Sequence, residues 1–294
     1  MSQLSLWPTH DTQRIVNVAT VKHLSPFRYP GGKTWFVPRI RQWLLRAPKR
    51  PALFVEPFAG GAIVSLTVAA ERLADRVLFA EIDAQVAAVW QTVLGDDAEW
   101  LCERILTFDL TAENADEVLE KSATTTRELA FQTILRNRIN RGGILAPGAG
   151  RIKHGENGKG LRSRWYPQTL CKRIRYIHEK LRSYVTFVHG DGMELLQKHV
   201  ATSDAYFFLD PPYTASGKKA GTRLYAHHAI DHAQLFALAQ RIRGDFVMTY
   251  ENCASLRHMA QAHGFMCAPV AMKNSHHAKM TELVISPRLD WLND

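Results

Sequence analysis

Cysteine is scarce in this chain. Cys102, Cys171, Cys253 and Cys267 are all there are among 294 residues, and none belongs to a CxxC pair or stands at zinc-finger spacing from a histidine. That pattern supports neither a disulfide framework nor a structural zinc, and reads the four as reduced packing residues. The adjacent pairs His227-His228 and His276-His277 have no nearby cysteine and no helical i, i+4 partner, so no metal site is expected. Long apolar runs are missing too: no stretch approaches the roughly 20 uncharged residues that span a bilayer, and the first residues carry neither an apolar signal core nor a basic leader. A soluble, cytoplasmic protein without a membrane partner is the expectation. An internal repeat, a low-complexity tract and a GxGxxG loop are also absent.

Acidic residues are nearly missing from one segment. The net charge of the whole chain is +9, yet between Arg136 and Arg182 there are 13 Lys/Arg against only Glu156 and Glu179, a local net of +11. The remainder is then slightly acidic, so the excess positive charge sits in one place and suits a polyanion such as nucleic acid. With 46% hydrophobic residues the chain can bury one large core.

The apolar pattern is that of an α/β protein with an insertion. Residues 1–24 show no sustained periodicity and read as a loosely held arm. The loop from Ser25 to Lys33 leads into an amphipathic helical stretch over Thr34 to Leu45. Strand, glycine turn and helix follow at Ala52 to Val55, Glu56 to Gly61 and Ala62 to Leu73; then a strand at Arg76 to Ala80 and a helix at Val86 to Leu94. This βαβα succession predicts a mostly parallel sheet with helices on both faces. From 96 to 184 strand signals stop, and helical stretches flank a glycine-rich basic loop, the mark of an inserted subdomain. Strands resume at Tyr184 to Val188, Ala205 to Leu209 and Asp245 to Thr249, with a helix over Ala233 to Ile242. Gly264 to Ala271 and Leu283 to Ser286 suit an antiparallel hairpin at a sheet edge. The expected organisation is an arm (1–24), a catalytic domain (25–95 and 185–294) and an inserted recognition subdomain (96–184).

Glycines directly after a parallel strand permit a tight turn and a close backbone approach to a ligand, at a helix N-terminus with free N–H donors. The block Glu56-Pro57-Phe58-Ala59-Gly60-Gly61 has that placement. An acid closing the next strand about 20 residues on is placed for a ribose diol, and Glu81 stands 20 residues after Gly61. Together they indicate an adenosine-containing ligand. Asp210-Pro211-Pro212-Tyr213 closes the apolar strand Ala205 to Leu209, where α/β sheets place their ligands. An exocyclic nucleobase amine is a poor nucleophile because its lone pair is delocalised into the ring. Asp210 can accept one N–H, a carbonyl of the Pro211-Pro212 pair the other, and Tyr213 offers a face on which a flipped base stacks.

Four blocks in this order, Phe27-Arg-Tyr-Pro-Gly-Gly-Lys33, Phe54 to Gly61, Ala80-Glu-Ile-Asp83 and Asp210 to Tyr213, give a chain that resembles the Dam-like, D12-class adenine-specific DNA methyltransferases. The resemblance implies a class I S-adenosylmethionine-dependent methyltransferase fold with a helical target-recognition insertion, encoded by a bacterium or phage. It implies methyl transfer from S-adenosylmethionine to adenine N6, with Tyr29, Gly31, Gly32 and Lys33 at the cofactor, Glu81 at its ribose, Asp191 near its adenine and Asp210 between cofactor and target amine. Departures are Glu81 where the family usually has Asp, and Gly192 where it has an aromatic after Asp191. In the insertion, Arg136, Arg138, Asn140, Arg141, Arg162, Arg164, Lys172 and Arg173 are the expected DNA contacts, with Trp165-Tyr166 able to stack at an opened base step. Double-stranded DNA is the expected partner of a monomer, with a cognate restriction endonuclease as the protein partner such a role allows. Transfer to RNA or to cytosine N4, and an inactive nucleic-acid-binding homologue, are the alternatives.

Overall fold

The computed structural model describes residues 20–29, 31–212, 230–273 and 279–292. Tyr213, the two histidine pairs and most of the arm lie outside the described residues. Short apolar runs bounded by turn residues form five parallel strands: β1 (Leu53–Glu56), β2 (Arg76–Glu81), β3 (Val185–His189), β4 (Ala205–Leu209) and β5 (Asp245–Glu251). A hairpin of β6 (Met266–Lys273) and β7 (Lys279–Ser286) joins β5 antiparallel through β7, giving the order β3-β2-β1-β4-β5-β7-β6. Every strand foreseen from the sequence is present, within one or two residues at most ends.

Strands buried on both faces read as continuous apolar runs, yet their side chains still alternate. Phe54, Val77, Phe79, Phe208 and Val247 enter one apolar cluster, while Val55, Leu78, Ala80, Phe207, Leu209, Phe246 and Met248 enter the other. The first cluster is covered by α1 (Val37–Leu45), α2 (Ile63–Ala70) and α3 (Ala84–Leu94). The second is covered by α8 (Gly192–His199), α9 (His232–Ala239) and α10 (Ala254–Ala262). Two of these helices, α8 and α10, were not foreseen. Each is only two turns or so long, and α8 begins inside a turn-like His-Gly-Asp-Gly sequence, where Asp191 caps it by accepting from Met193 N at 2.7 Å.

Four helices make up the inserted segment: α4 (Ala98–Thr107), α5 (Ala112–Glu120), α6 (Thr126–Ile139) and α7 (Pro167–Tyr176). A full capping box of Thr125 and Glu128 starts α6, and Pro167 occupies the first position of α7, where a missing N–H costs nothing. α6 packs along α3 and α7 along α4, and their apolar residues join the cluster on that face of the sheet. The insertion therefore shares its core with the sheet. Cys102 and Cys171 meet between α4 and α7 as buried free thiols, and Cys267 is buried in the hairpin. The end of the supposedly loose arm is also packed: Val21 and Leu24 are 4% and 8% exposed.

Because β1 lies between β2 and β4, the chain order reverses beside it, and the loops leaving β1 and β4 open a crevice at the carboxyl end of the sheet. The loop before α1 crosses that crevice. Asn137 of α6, fully buried, holds it there: Oδ1 accepts from Arg28 N at 2.9 Å, and Nδ2 donates to Arg28 O at 3.0 Å and Gly143 O at 2.7 Å. Asn137→Ala leaves these backbone groups without partners and should lower unfolding stability by about 2–4 kcal/mol. A urea midpoint equal to that of the unmutated chain would show that the loop does not depend on this bridge.

Candidate active site

Gly60 adopts φ +50°, a left-handed conformation that glycine reaches without strain. Its carbonyl accepts from Trp90 Nε1 of α3 at 2.9 Å, and Ala59 N donates to Ala80 O at 3.0 Å, so the turn after β1 is tied to both β2 and α3. The sequence gives these glycines the purpose of admitting a ligand. In the fold they first make room for Tyr29: a Cβ at Gly60 would lie 2.5 Å from the Tyr29 ring, and one at Gly61 would lie 2.8 Å from Tyr29 Cβ. The aromatic ring of the N-terminal loop thus lies on the glycine turn.

Lys33 is the other anchor of that loop. Only 5% exposed, its Nζ lies 2.9 Å from Asp210 Oδ1 and 3.5 Å from Glu282 Oε2 on β7, and donates to Gly31 O at 3.3 Å. Asp210 Oδ1 also accepts from Thr249 Oγ1 at 2.8 Å, from the neighbouring strand β5. The carboxylate that leaves β4 is therefore held by one cation and one hydroxyl, from opposite sides of the chain's order. Glu56, at the end of β1, is 3% exposed and its Oε2 accepts from Ser65 N at 2.8 Å, capping the first turn of α2. Burial pushes the Glu56 carboxyl up to about 8 against that hydrogen bond, and the charge of Asp210 adds to the rise while Lys33 opposes it.

Lys33, Glu56, Asp210 and Glu282 line a cavity of about 500 Å³. Gly31, Gly32, Pro57 and Phe58 line it beside Tyr29 and Lys33, and Asp210, Pro211 and Pro212 form another part of the wall. Glu81 closes β2 with Oε1 accepting from Asp83 N at 2.8 Å, and burial pushes its carboxyl up to about 7. Next to it Ile82 is 43% exposed, an apolar side chain presented to the cavity. Asp191 stands at the rim, exposed, as the cap of α8. The missing aromatic at Gly192 has a steric reason: a Cβ there would lie 2.3 Å from Pro57 O and 2.7 Å from the Phe58 ring, so Phe58 fills the space a side chain at 192 would need. Thr249, Ile82 and Glu282 were not among the residues expected here. Within β5 and β7, Thr249 and Glu282 look like ordinary strand residues that only the sheet register brings beside Asp210 and Lys33, and Ile82 directly follows β2.

The insertion residues separate into two groups. Arg138 is 4% exposed and its guanidinium donates to the Pro26 carbonyl, and Asn140, 8% exposed, donates to Ile144 O at 2.8 Å. Both are buried in the fold, which corrects their expected place on a DNA-facing surface. Arg136 donates to Gln85 Oε1 of α3 at 2.7 Å, and Arg162 pairs with Asp109 at 2.8 Å. Arg173 lines the cavity and donates to Ser25 O at 3.1 Å. Arg141 and Lys172 are exposed and Arg164 is half-buried, as is Trp165, while Tyr166 is 46% exposed. The strong local charge is also partly neutralised, because Arg151, Arg162, Arg175 and Arg182 each pair with an acid from residues 96–116.

The strand order, the antiparallel β7 and the cavity at the β1/β4 reversal define a class I methyltransferase fold. Residues 29–267 match the D12 class N6 adenine-specific DNA methyltransferase family, and the chain belongs to that family. Family and fold imply S-adenosylmethionine as the methyl donor. No curated protein matches the sequence. Among solved structures, the chain is similar to the rRNA methyltransferase aviRa from Streptomyces viridochromogenes, at 14% identity and TM-score 0.40 over 97% of this chain and 95% of that one. It is also similar to precorrin-6y C5,15-methyltransferase from Geobacter metallireducens GS-15, at 13% identity and TM-score 0.34 over 84% and 83% of the two chains. No helix among the described residues is long and apolar enough to cross a membrane.

The two raised carboxyls have a measurable consequence. In the unfolded chain both lose their protons near the ordinary value of 4.5, whereas in the fold they hold them to about 7 and about 8. Between these limits the folded state binds more protons than the unfolded one, so unfolding free energy falls as pH rises. Their contribution is fully present below the unfolded value and is lost as pH climbs through the folded values. Glu56→Gln, which keeps the neutral shape, should decline less steeply in urea unfolding between about pH 5 and pH 8. Parallel curves for the two proteins would mean that Glu56 is already ionised in the fold.

Proposed function

We propose that this chain methylates N6 of adenine in double-stranded DNA, with the target base turned out of the helix into the crevice beside Asp210. The observation that carries the reading is the placement of Asp210, Pro211 and Pro212 on the wall of the same cavity that holds Glu81 and the glycine turn. On this reading Asp210 is an acceptor for an exocyclic amine, beside a place for an adenosine-containing donor. S-adenosylmethionine, when bound, supplies the electrophilic methyl group.

The cavity suits that donor in size and chemistry. A volume of about 500 Å³ falls in the usual range for a small-molecule site. Glu81 offers a carboxylate to ribose hydroxyls, Ile82 and Phe58 offer apolar contact to a purine, and Asp191 stands at the rim by α8 where a ring amine can be read. On the target side, Asp210 accepts one N–H of the adenine amine and a carbonyl of the Pro211-Pro212 pair accepts the other. Two acceptors draw the nitrogen away from planarity and aim its lone pair at the methyl group. Lys33 and Thr249 hold Asp210 in one orientation, so the geometry exists before the base arrives. Tyr213, next in sequence, gives the base a stacking face.

On this reading the exposed Arg141 and Lys172, with Arg164 and Tyr166, face the DNA. Flipping a base costs a few kcal/mol, which stacking and phosphate contacts offset. The enzyme acts as a monomer in the cytoplasm of a bacterium, alone or beside a restriction endonuclease that cuts the same unmethylated site.

Incubation with radiolabelled S-adenosylmethionine and unmethylated genomic DNA, followed by nucleoside analysis, tests the reading directly. Label in N6-methyladenine is expected; label in N4-methylcytosine, or incorporation into RNA alone, would replace it. Asp210→Ala should cut turnover by about a thousandfold or more while leaving cofactor and DNA affinity within about tenfold, and unchanged turnover would sink the mechanism. Replacing Arg141 and Lys172 together by alanine should reduce the slope of log K against log salt by about two. A slope equal to that of the unmutated chain would place the DNA on another face.

A further inference from the structure

One wall of the cofactor cavity comes from the inserted segment, and it is cationic. Arg173 of α7 lines the cavity while its Nη1 donates to Ser25 O at 3.1 Å. Ser25 in turn abuts the glycine turn, with its Oγ 3.4 Å from where a Cβ of Gly61 would be. The Arg173 guanidinium is thus set beside the turn at the start of α2, where backbone N–H groups already favour an anion.

A second arginine stands behind it. Arg138 is 4% exposed, its Nη2 donates to the carbonyl of Pro26, and its Nε, buried, has no hydrogen-bond partner. Burial, and after it the charges of Arg173, Arg28 and Arg164, bring its guanidinium down to about 9. Like charges gathered at low solvent exposure are costly unless an anion joins them. The other cation of the cavity, Lys33, is engaged by Asp210 and Glu282.

S-adenosylmethionine presents a neutral adenine, a neutral ribose, a positive sulfonium, a positive ammonium and one anion, its α-carboxylate. We propose that Arg173, backed by the buried Arg138, binds that carboxylate, so that the inserted segment completes the cofactor site. This rests on the reading of the cavity as a site for S-adenosylmethionine. A DNA phosphate is the competing anion, and the place of Arg173 on the cavity wall, half-buried against Ser25, favours the smaller ligand. Its neighbour Lys172 is the exposed one.

Calorimetric titration with S-adenosylmethionine and with decarboxylated S-adenosylmethionine, which lacks only the carboxylate, separates the outcomes. The unmutated protein should bind the decarboxylated compound about 10- to 100-fold more weakly. Arg173→Gln should lose a similar factor for S-adenosylmethionine and little further for the decarboxylated compound, with Arg173→Lys recovering part of the loss. Equal binding of the two compounds by the unmutated protein would overturn the assignment without any mutation. So would an Arg173→Gln protein that weakens both compounds alike, or one that keeps its cofactor affinity and loses DNA affinity with a shallower salt dependence. Failure of the unmutated protein to bind either compound would instead refute the cofactor reading beneath it, and the assignment with it.

Discussion

The ion pair of Lys33 with Asp210 holds the site together. Carboxylates of Asp210, at the end of β4, and of Glu282, on β7, reach the 5% exposed Lys33, and Lys33 and Thr249 share Oδ1 of Asp210. Removing either partner would leave a largely buried charge with fewer contacts, which costs more than the pair itself contributes. The consequence reaches beyond the pair. Lys33 ends the N-terminal loop, whose Tyr29 lies on the glycine turn and lines the same cavity. Glu56 feels both charges, and that coupling makes the protonation of the β1 end depend on the geometry of the β4 end.

The loop is clamped from its other side by the insertion. Asn137 and Arg138 of α6 hold Arg28 and Pro26, and Arg173 of α7 holds Ser25. Three residues of the inserted segment therefore act on three residues of the loop, while Lys33, at the loop's end, is held by Asp210 and Glu282 of the sheet side. A movement of α6 or α7 against the sheet would pull on Ser25, Pro26 and Arg28 of this loop. The apolar cluster shared by α3, α6 and α7 opposes such movement, since a packed interior has few arrangements of equal energy. Cofactor cavity and insertion are mechanically one unit, although chain order places them far apart.

That distance explains what could and could not be read from the residues. The glycine turn, Glu81 and Asp210 each sit at the end of an apolar strand, so local pattern and a parallel sheet suffice to bring them to one edge. The hairpin and its edge position follow from the same logic. Arg138 is different: its partner, the Pro26 carbonyl, is 112 residues away, and nothing local separates a buried arginine from a DNA-facing one in a basic stretch. Net charge misleads for a related reason. A count over 136–182 omits the acids of residues 96–116, which fold back to pair with Arg151, Arg162, Arg175 and Arg182. Glu282 and Thr249 carry no motif at all, and only register makes them neighbours of Lys33 and Asp210.

The distribution of charge around the cavity has its own logic. Glu56, Glu81, Asp191, Asp210, Asp231 and Glu282 line it against the cations Lys33 and Arg173. Burial keeps Glu56 and Glu81 protonated up to about 8 and about 7, so Asp191, Asp210, Asp231 and Glu282 carry the negative charge of this surface. The acids follow the carboxyl ends of the strands, and the exposed cations Arg141 and Lys172 lie on the insertion. Negative and positive side chains therefore concentrate on different parts of the molecule, the first at the cavity and the second on the insertion. On the proposed reading the group that comes to Asp210 at the end of β4 is a neutral base rather than a phosphate, because the acids of the cavity wall disfavour an anion there.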